Sequence, residues 1–399
     1  MVQLVMERLR WVFLSVMIGL FAGLSAACFL FLLDGVTDFR VSHPELIWGL
    51  PLGGLISGFI YWRYGKQASG GNALIIDAVH DPKKVVPLRM APLILISTVL
   101  THLFGGSAGR EGAAVQMSAS LSVQLSRWFD IRPEEKRILL MAGMGAGFGA
   151  TVGAPWAGFV FGLEVIRLPQ RRLFAALECW VASFVGYGVT RVIHVPHPHL
   201  PKLIIPQFLP WTVFGVILAG VAFGFLARVF VFLSHGLQTR LRAFPIFPPL
   251  IPAVLGAVLA ALYFLTDSLK YGGLGLSVIE QALSSRTPVF DPFYKLGFTV
   301  LTVGGGFKGG EYVPLVFMGS TLGNALGQWL ALSPPFFAAL GYVAVFGGAS
   351  KTPFACACLG MELFGFWLGP YALLACWISY KIAGDHGIYH SPRRRSSHS

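Results

Sequence analysis

Two glycine-rich segments lie 200 residues apart, match each other, and carry one glutamate each. They are Gly105-Gly106-Ser107-Ala108-Gly109-Arg110-Glu111-Gly112 and Gly305-Gly306-Phe307-Lys308-Gly309-Gly310-Glu311. A second match follows each: Ala154-Pro155-Trp156-Ala157 leads to Gly162-Leu163-Glu164, and Thr352-Pro353-Phe354-Ala355 leads to Gly360-Met361-Glu362, offset by 198 residues. Two motifs repeated in order at near-constant spacing mark a duplicated unit. Such a chain folds as two similar halves. In an apolar chain, glycine-broken segments at matched positions are the signature of a transporter with its binding site between the repeats.

The chain is apolar. It is 55% hydrophobic and 12% charged, against about 25% charged for a soluble domain, with a mean hydropathy of +0.68. Apolar runs near the roughly 20 residues that cross a bilayer recur at 11–33, 46–62, 91–104, 173–193, 211–233, 247–266 and 371–382. Others, at 139–165 and 313–330, are interrupted by Gly and Pro. These features predict an all-α integral membrane protein. The net charge of +12 is spread over short clusters between the runs, including Arg8 and Arg10, Lys83 and Lys84, Arg171 and Arg172, and Arg393 to Arg395. The positive-inside rule accounts for such clusters, implies no nucleic acid, and places both termini in the cytoplasm. An even number of crossings follows, and two halves with an odd number each are inverted relative to one another. The halves are expected at residues 1–195 and 196–390, dividing in the polar stretch at 194–202, with a short basic tail at 391–399.

Metal and cofactor chemistry is not expected. The five cysteines lie in apolar stretches, and Cys356-Ala357-Cys358 lacks a second ligand pair. His194, His197 and His199 interleave with Pro196 and Pro198, which fits an exposed loop between the halves. Buried acid/base catalysis by a membrane enzyme finds no support either: there is no His-Glu-x-x-His and no paired Asp cluster.

The glycines point to an anion. Irregular backbone survives in hydrocarbon only where it lines a cavity. A loop at 105–111 entering a helix near Gly112 presents free N–H groups and the positive dipole end toward the membrane interior. That is an anion site without a fixed charge. The second segment supplies a matching helix start, where Pro314 is tolerated in the first turn. Glu111 is the foremost candidate, because a carboxylate inside a bilayer is costly and normally functional. Burial favours its neutral form and helix N-termini its charged form, so one residue can couple a proton to an anion. The competing reading is a glutamate merely paired with Arg110. Glu164 and Glu362, at matched positions, are expected to cap or pair with polar backbone.

Gly109-Arg110-Glu111-Gly112 followed by Ala113-Ala114-Val115-Gln116 resembles the gating motif of the CLC anion channels and proton-coupled exchangers. Four further motifs follow the family's order, at Ser69 to Ile75, Ala154 to Glu164, Gly310 to Pro314 and Gly387-Ile388-Tyr389. The resemblance implies about eighteen tilted, partly re-entrant helices and a homodimer with one pathway per subunit. Departures narrow the substrate. Asn72 stands where the family has a chloride-binding serine, Ala113 replaces a proline, and Tyr312-Val313 replaces Phe-Ala. Val165 stands where ordinary exchangers carry an inner proton glutamate. Asn72 and the segment Gly306 to Glu311 resemble the fluoride-transporting branch, which exports fluoride in exchange for protons and confers fluoride resistance.

The resemblance thus implies Glu111 as protonatable gate and an anion site at Asn72, Gly109, Arg110, Gly112, Ala113, Tyr312, Val313 and Tyr389. Val313 departs from that branch's threonine. Asn72 offers two N–H donors where serine offers one O–H, which suits a strongly hydrated ion. Transported solutes would be fluoride and protons, in a bacterial inner membrane. A chloride or mixed-halide exchanger, or a passive channel gated by Glu111, is the alternative.

Overall fold

The computed structural model describes residues 2–166, 175–197, 200–201, 203–207 and 209–389. His199, Arg171, Arg172 and the tail from 391 lie outside the described residues. The first half contains α1 (Val2–Ser42), α2 (Leu50–Tyr64), α3 (Gly71–His80), α4 (Met90–Leu103), α5 (Glu111–Ser122), the single turn α6 (Leu125–Trp128), α7 (Lys136–Val152), α8 (Pro155–Glu164) and α9 (Ala176–Val192). The second contains α10 (Pro210–Ala243), α11 (Leu250–Leu265), α12 (Leu276–Ser284), α13 (Asp291–Gly304), α14 (Tyr312–Trp329), α15 (Pro334–Ser350), α16 (Pro353–Phe364) and α17 (Gly369–Ile382). The two series run in the same order, α6 apart. The start of α2 recurs at α11 after 200 residues, and those of α7 and α8 recur at α15 and α16 after 198.

Helix lengths follow the glycines and prolines. α1, uninterrupted over 41 residues, is about 61 Å long, twice a hydrocarbon core, and so must run obliquely. The apolar run at 139–165 is instead cut in two. Gly153 takes φ +81° to end α7, and Pro155 opens α8, which at ten residues reaches about half-way across a bilayer.

Close packing is set by small residues. α14 and α15 cross backbone to backbone: a Cβ at Gly319 would strike the Gly341 carbonyl, and one at Gly323 the Phe337 carbonyl. In the first half Gly143 and Gly147 of α7 meet Ser122 and Ser118 of α5. Without a hydrophobic drive between helices in lipid, such small-residue contacts are what bring backbones together. α5, α7, α14 and α15 are buried almost throughout and form the centre. α10 and α11 turn Phe225, Phe232, Phe264 and Leu265 outward.

Glu164 and Glu362 behave as expected of backbone partners, and do so reciprocally. Glu362, near the end of α16, accepts the N–H groups of Trp156 (3.0 Å) and Ala157 (2.9 Å) in the first turn of α8. Glu164, at the end of α8, accepts those of Phe354 (3.1 Å) and Ala355 (2.7 Å) in the first turn of α16. The two short helices therefore lie antiparallel, each closing the other's open N-terminus.

Candidate functional site

The two glycine segments meet at the centre. Gly109 and Gly310 exchange N–H···O=C bonds of 2.6 Å in both directions as an antiparallel pair. Each segment is also tied to its own preceding helix: Gly106 N–H donates to the Thr101 carbonyl (2.8 Å) and Phe307 N–H to that of Thr302 (3.2 Å). Gly105 and Gly306 adopt φ +86° and +98°, which glycine alone accepts without strain. At Gly310 the two segments approach backbone to backbone. A Cβ there would lie 2.8 Å from the Gly112 nitrogen and 3.2 Å from those of Arg110 and Glu111. A Cβ on Gly112 would stand 3.5 Å from Asn72 Nδ2 and 3.9 Å from the Glu311 nitrogen. The first turns of α3, α5 and α14 thus converge on one point, three positive helix ends aimed at a shared space.

Two cavities approach this point. One, of about 460 Å³, is lined by Asn72, Gln116, Glu311 and Tyr389 together with the basic residues Lys308 and Arg242. The other is a chamber of about 30 Å³, room for one water molecule or small halide, bounded by Arg110, Glu111, Tyr312, Val313 and Tyr342. A chain of aromatic rings runs from Tyr389 in the wall of the large cavity to Tyr312 in the wall of the small one. Tyr389 meets Phe161 edge-on (6.3 Å), Phe161 stacks on Phe148 (4.4 Å), and Tyr312 stands edge-on to Phe148 (5.5 Å) and Phe346 (4.7 Å). Phe148 and Phe346, themselves stacked at 6.0 Å, occupy equivalent positions of the two halves.

Glu111 is 3% exposed and belongs to the small chamber. Its carboxylate accepts the Arg110 amide (3.2 Å) and Arg110 Nε (3.3 Å), while Arg110 Nη1 reaches Asp34 at 3.8 Å. The pairing expected of a purely structural glutamate is therefore present. It coexists with placement at the convergence of helix ends, where a structural ion pair alone has no need to be.

The expected site residues divide. Asn72 and Tyr389 line the large cavity; Arg110, Tyr312 and Val313 line the small chamber; Gly112 sits between. Two differ from the expectation of free donors. The Gly109 amide is committed to Gly310, and the Ala113 amide donates to the Arg110 carbonyl (3.1 Å). The Ala113 methyl packs with Phe29, Leu33 and Met117, away from both cavities. These two shape the site as backbone and packing, because the antiparallel pair and the first helical turn have already used their donors. The site also gains Glu311 and Lys308. Glu311 was legible as the repeat mate of Glu111, but which cavity it faces was not.

The voltage-gated chloride channel family profile matches residues 53–384. The chain belongs to this family. Its helices cross the membrane several times, as the apolar runs predict. A "Chloride/fluoride channel protein" from Pseudomonas syringae pv. tomato is 42% identical over 393 residues, covering 96% of this chain and 86% of that protein. An "H(+)/Cl(-) exchange transporter ClcA" from Vibrio cholerae serotype O1 is 27% identical, covering 88% of this chain and 81% of its own length. Among solved structures, a CLC-type fluoride/proton antiporter superposes with a TM-score of 0.92 at 32% identity, covering 96% of this chain and 98% of that one. The all-α fold of this family member is thereby that of CLC transporters.

Proposed function

We propose that this family member exports fluoride in exchange for protons across a bacterial inner membrane, with Glu111 as the protonatable gate. The observation that carries the reading is the position of Glu111. It stands at the meeting of three helix N-termini, in the wall of a chamber the size of one small ion and close to a wide basic cavity. The large cavity is the cytoplasmic entrance. Lys308 and Arg242 draw anions in, and Asn72, the first-turn amide of Gly112 and Tyr389 replace water around the ion. Such replacement is demanded of a small, strongly hydrated anion, since an uncompensated charge in hydrocarbon costs tens of kcal/mol. Tyr312, Val313 and Arg110 line the outer step.

Protonation of Glu111 removes its charge, loosens its hold on Arg110 and opens the chamber; deprotonation returns a built-in anion to it. Glu311, across the same constriction and facing the inner cavity, is the second proton carrier in a chain that has Val165 at the position of an inner glutamate. The halves at 1–195 and 196–390 form inverted repeats, a reading supported by the antiparallel Gly109–Gly310 pair and the antiparallel α8 and α16. Both termini lie in the cytoplasm, and the protein works as a homodimer with one pathway in each subunit, for which crosslinking in membranes is the direct check.

The test is simultaneous recording of fluoride efflux and proton uptake from liposomes holding the purified protein. Coupled fluoride and proton movement much faster than chloride movement, lost in Glu111→Gln, supports antiport. Proton movement that stays stoichiometric with fluoride in Glu111→Gln refutes the gate. Comparable chloride flux selects the mixed-halide reading, which the "chloride/fluoride" relative keeps in view.

A further inference from the structure

A third cavity, of about 410 Å³, lies at the far end of α1, lined by Arg40, Ile47, Lys270, Gly275, Leu276 and Ser277. It is the repeat mate of the basic inner cavity. In α1, Gly19 and Gly23 abut α9, and in α10 Gly220 and Gly224 abut α17 in the same way. Matching these glycines sets Arg40 one residue from the position of Arg242. The inner cavity is lined by Arg242 and by the start of α3 with Asn72 as its second residue. The outer one is lined by Arg40 and by the start of α12 with Ser277 as its second residue.

The arginine is uncompensated. Arg40 has no carboxylate within ion-pair distance among the described residues, and its Nε is buried without a hydrogen-bond partner. Lys295 is fully buried behind the cavity wall. Its ammonium donates to the Tyr271 (2.9 Å) and Gly273 (2.8 Å) carbonyls, and a Cβ on Gly275 would stand 3.6 Å from it. Lys270 is neutralised by Asp291 at 3.0 Å; of the two acids on α1 near Arg40, Asp34 faces Arg110 and Asp38 makes no ion pair with Arg40. An arginine with no counter-charge in the wall of an opening calls for a mobile one, because an isolated charge in a low-dielectric setting is costly. Leu276 lines both this cavity and the chamber of Glu111, so the two adjoin.

We propose that the Arg40 cavity is an outer anion site, a station that receives the transported anion beyond the Glu111 chamber. Its direction as an exit rests on the export reading above; its binding of anions does not. At this size the cavity holds an ion with its water shell, so it selects by charge and not by radius. Bromide is then a valid probe.

Crystals of the full chain soaked in bromide are expected to show anomalous density beside residue 40 in the wild type and in Arg40→Lys. In Arg40→Gln that density should be gone while the inner cavity remains occupied. No density beside Arg40 in the wild type, or density that persists in Arg40→Gln, overturns the site. In liposomes, Arg40→Gln should slow fluoride efflux about threefold or more with the fluoride-to-proton ratio unchanged, and Arg40→Lys should restore it. Efflux untouched by Arg40→Gln refutes the exit role. If the wild type moves no fluoride at all, the export reading fails while the bromide result still decides the site.

Discussion

Removing the Glu164 carboxylate strips two amides at once, those of Phe354 and Ala355, of acceptors at 3.1 and 2.7 Å. An N–H left without a partner away from water costs about 1–3 kcal/mol, and these two face apolar surroundings at the edge of a membrane protein. Both amides belong to an open helix N-terminus, where some relaxation is available, so Glu164→Ala should destabilise by about 2–4 kcal/mol. Glu362→Ala should do the same through Trp156 and Ala157. The two caps sit at opposite ends of an antiparallel pair about 15 Å long and share no partner, so the double variant should lose about the sum of the singles. Glu164→Gln keeps one good acceptor and should lose about half as much as Glu164→Ala. Equilibrium unfolding of the purified protein in mixed detergent micelles measures all four variants. A loss under about 0.5 kcal/mol for Glu164→Ala would refute the capping argument. So would a folded Glu164→Ala protein that moves fluoride but has lost proton coupling, for then the glutamate carries protons.

At the centre, Gly310→Ala should abolish transport, because its methyl would fall 2.8 Å from the Gly112 nitrogen; Gly188→Ala, with open space around it, should leave flux and stability unchanged. Asn72→Ser keeps one donor of two and should lower the fluoride-to-chloride flux ratio about tenfold, the equivalent of about 1.4 kcal/mol, in side-by-side efflux assays. Glu311→Gln should reduce proton uptake more than fluoride efflux, and equal losses in both would assign Glu311 to anion binding alone. Gly323→Ala in α14 should destabilise by more than 2 kcal/mol, because the facing atom is the Phe337 carbonyl and not a movable side chain.

Much of this was legible in the sequence. The repeat offsets of 200 and 198 foretold two parallel series of helices, and the placement of proline and glycine foretold where α7 ends and α8 begins. The backbone role of Glu164 and Glu362 was legible from their matched positions, though their reciprocity was not. Three things were not written there. The sequence put Ala113 among the donors, yet its amide is spent on Arg110 and its methyl packs elsewhere. It left open whether Glu111 pairs with Arg110, and the pair forms at the mouth of the small chamber. It drew no attention to Arg40, a lone arginine at a helix end whose meaning depends on a cavity wall built from residues 269–277, far along the chain.

The division has a physical cause. Apolar run length, glycine and proline act within a few residues, so the chain by itself determined an all-α membrane protein of two like halves with a glutamate in each glycine loop. Which donors remain free, and which charges stand unpaired, is decided only when Gly109 meets Gly310 and three helix ends are brought to one point, because hydrogen bonds and counter-charges are satisfied by neighbours in space.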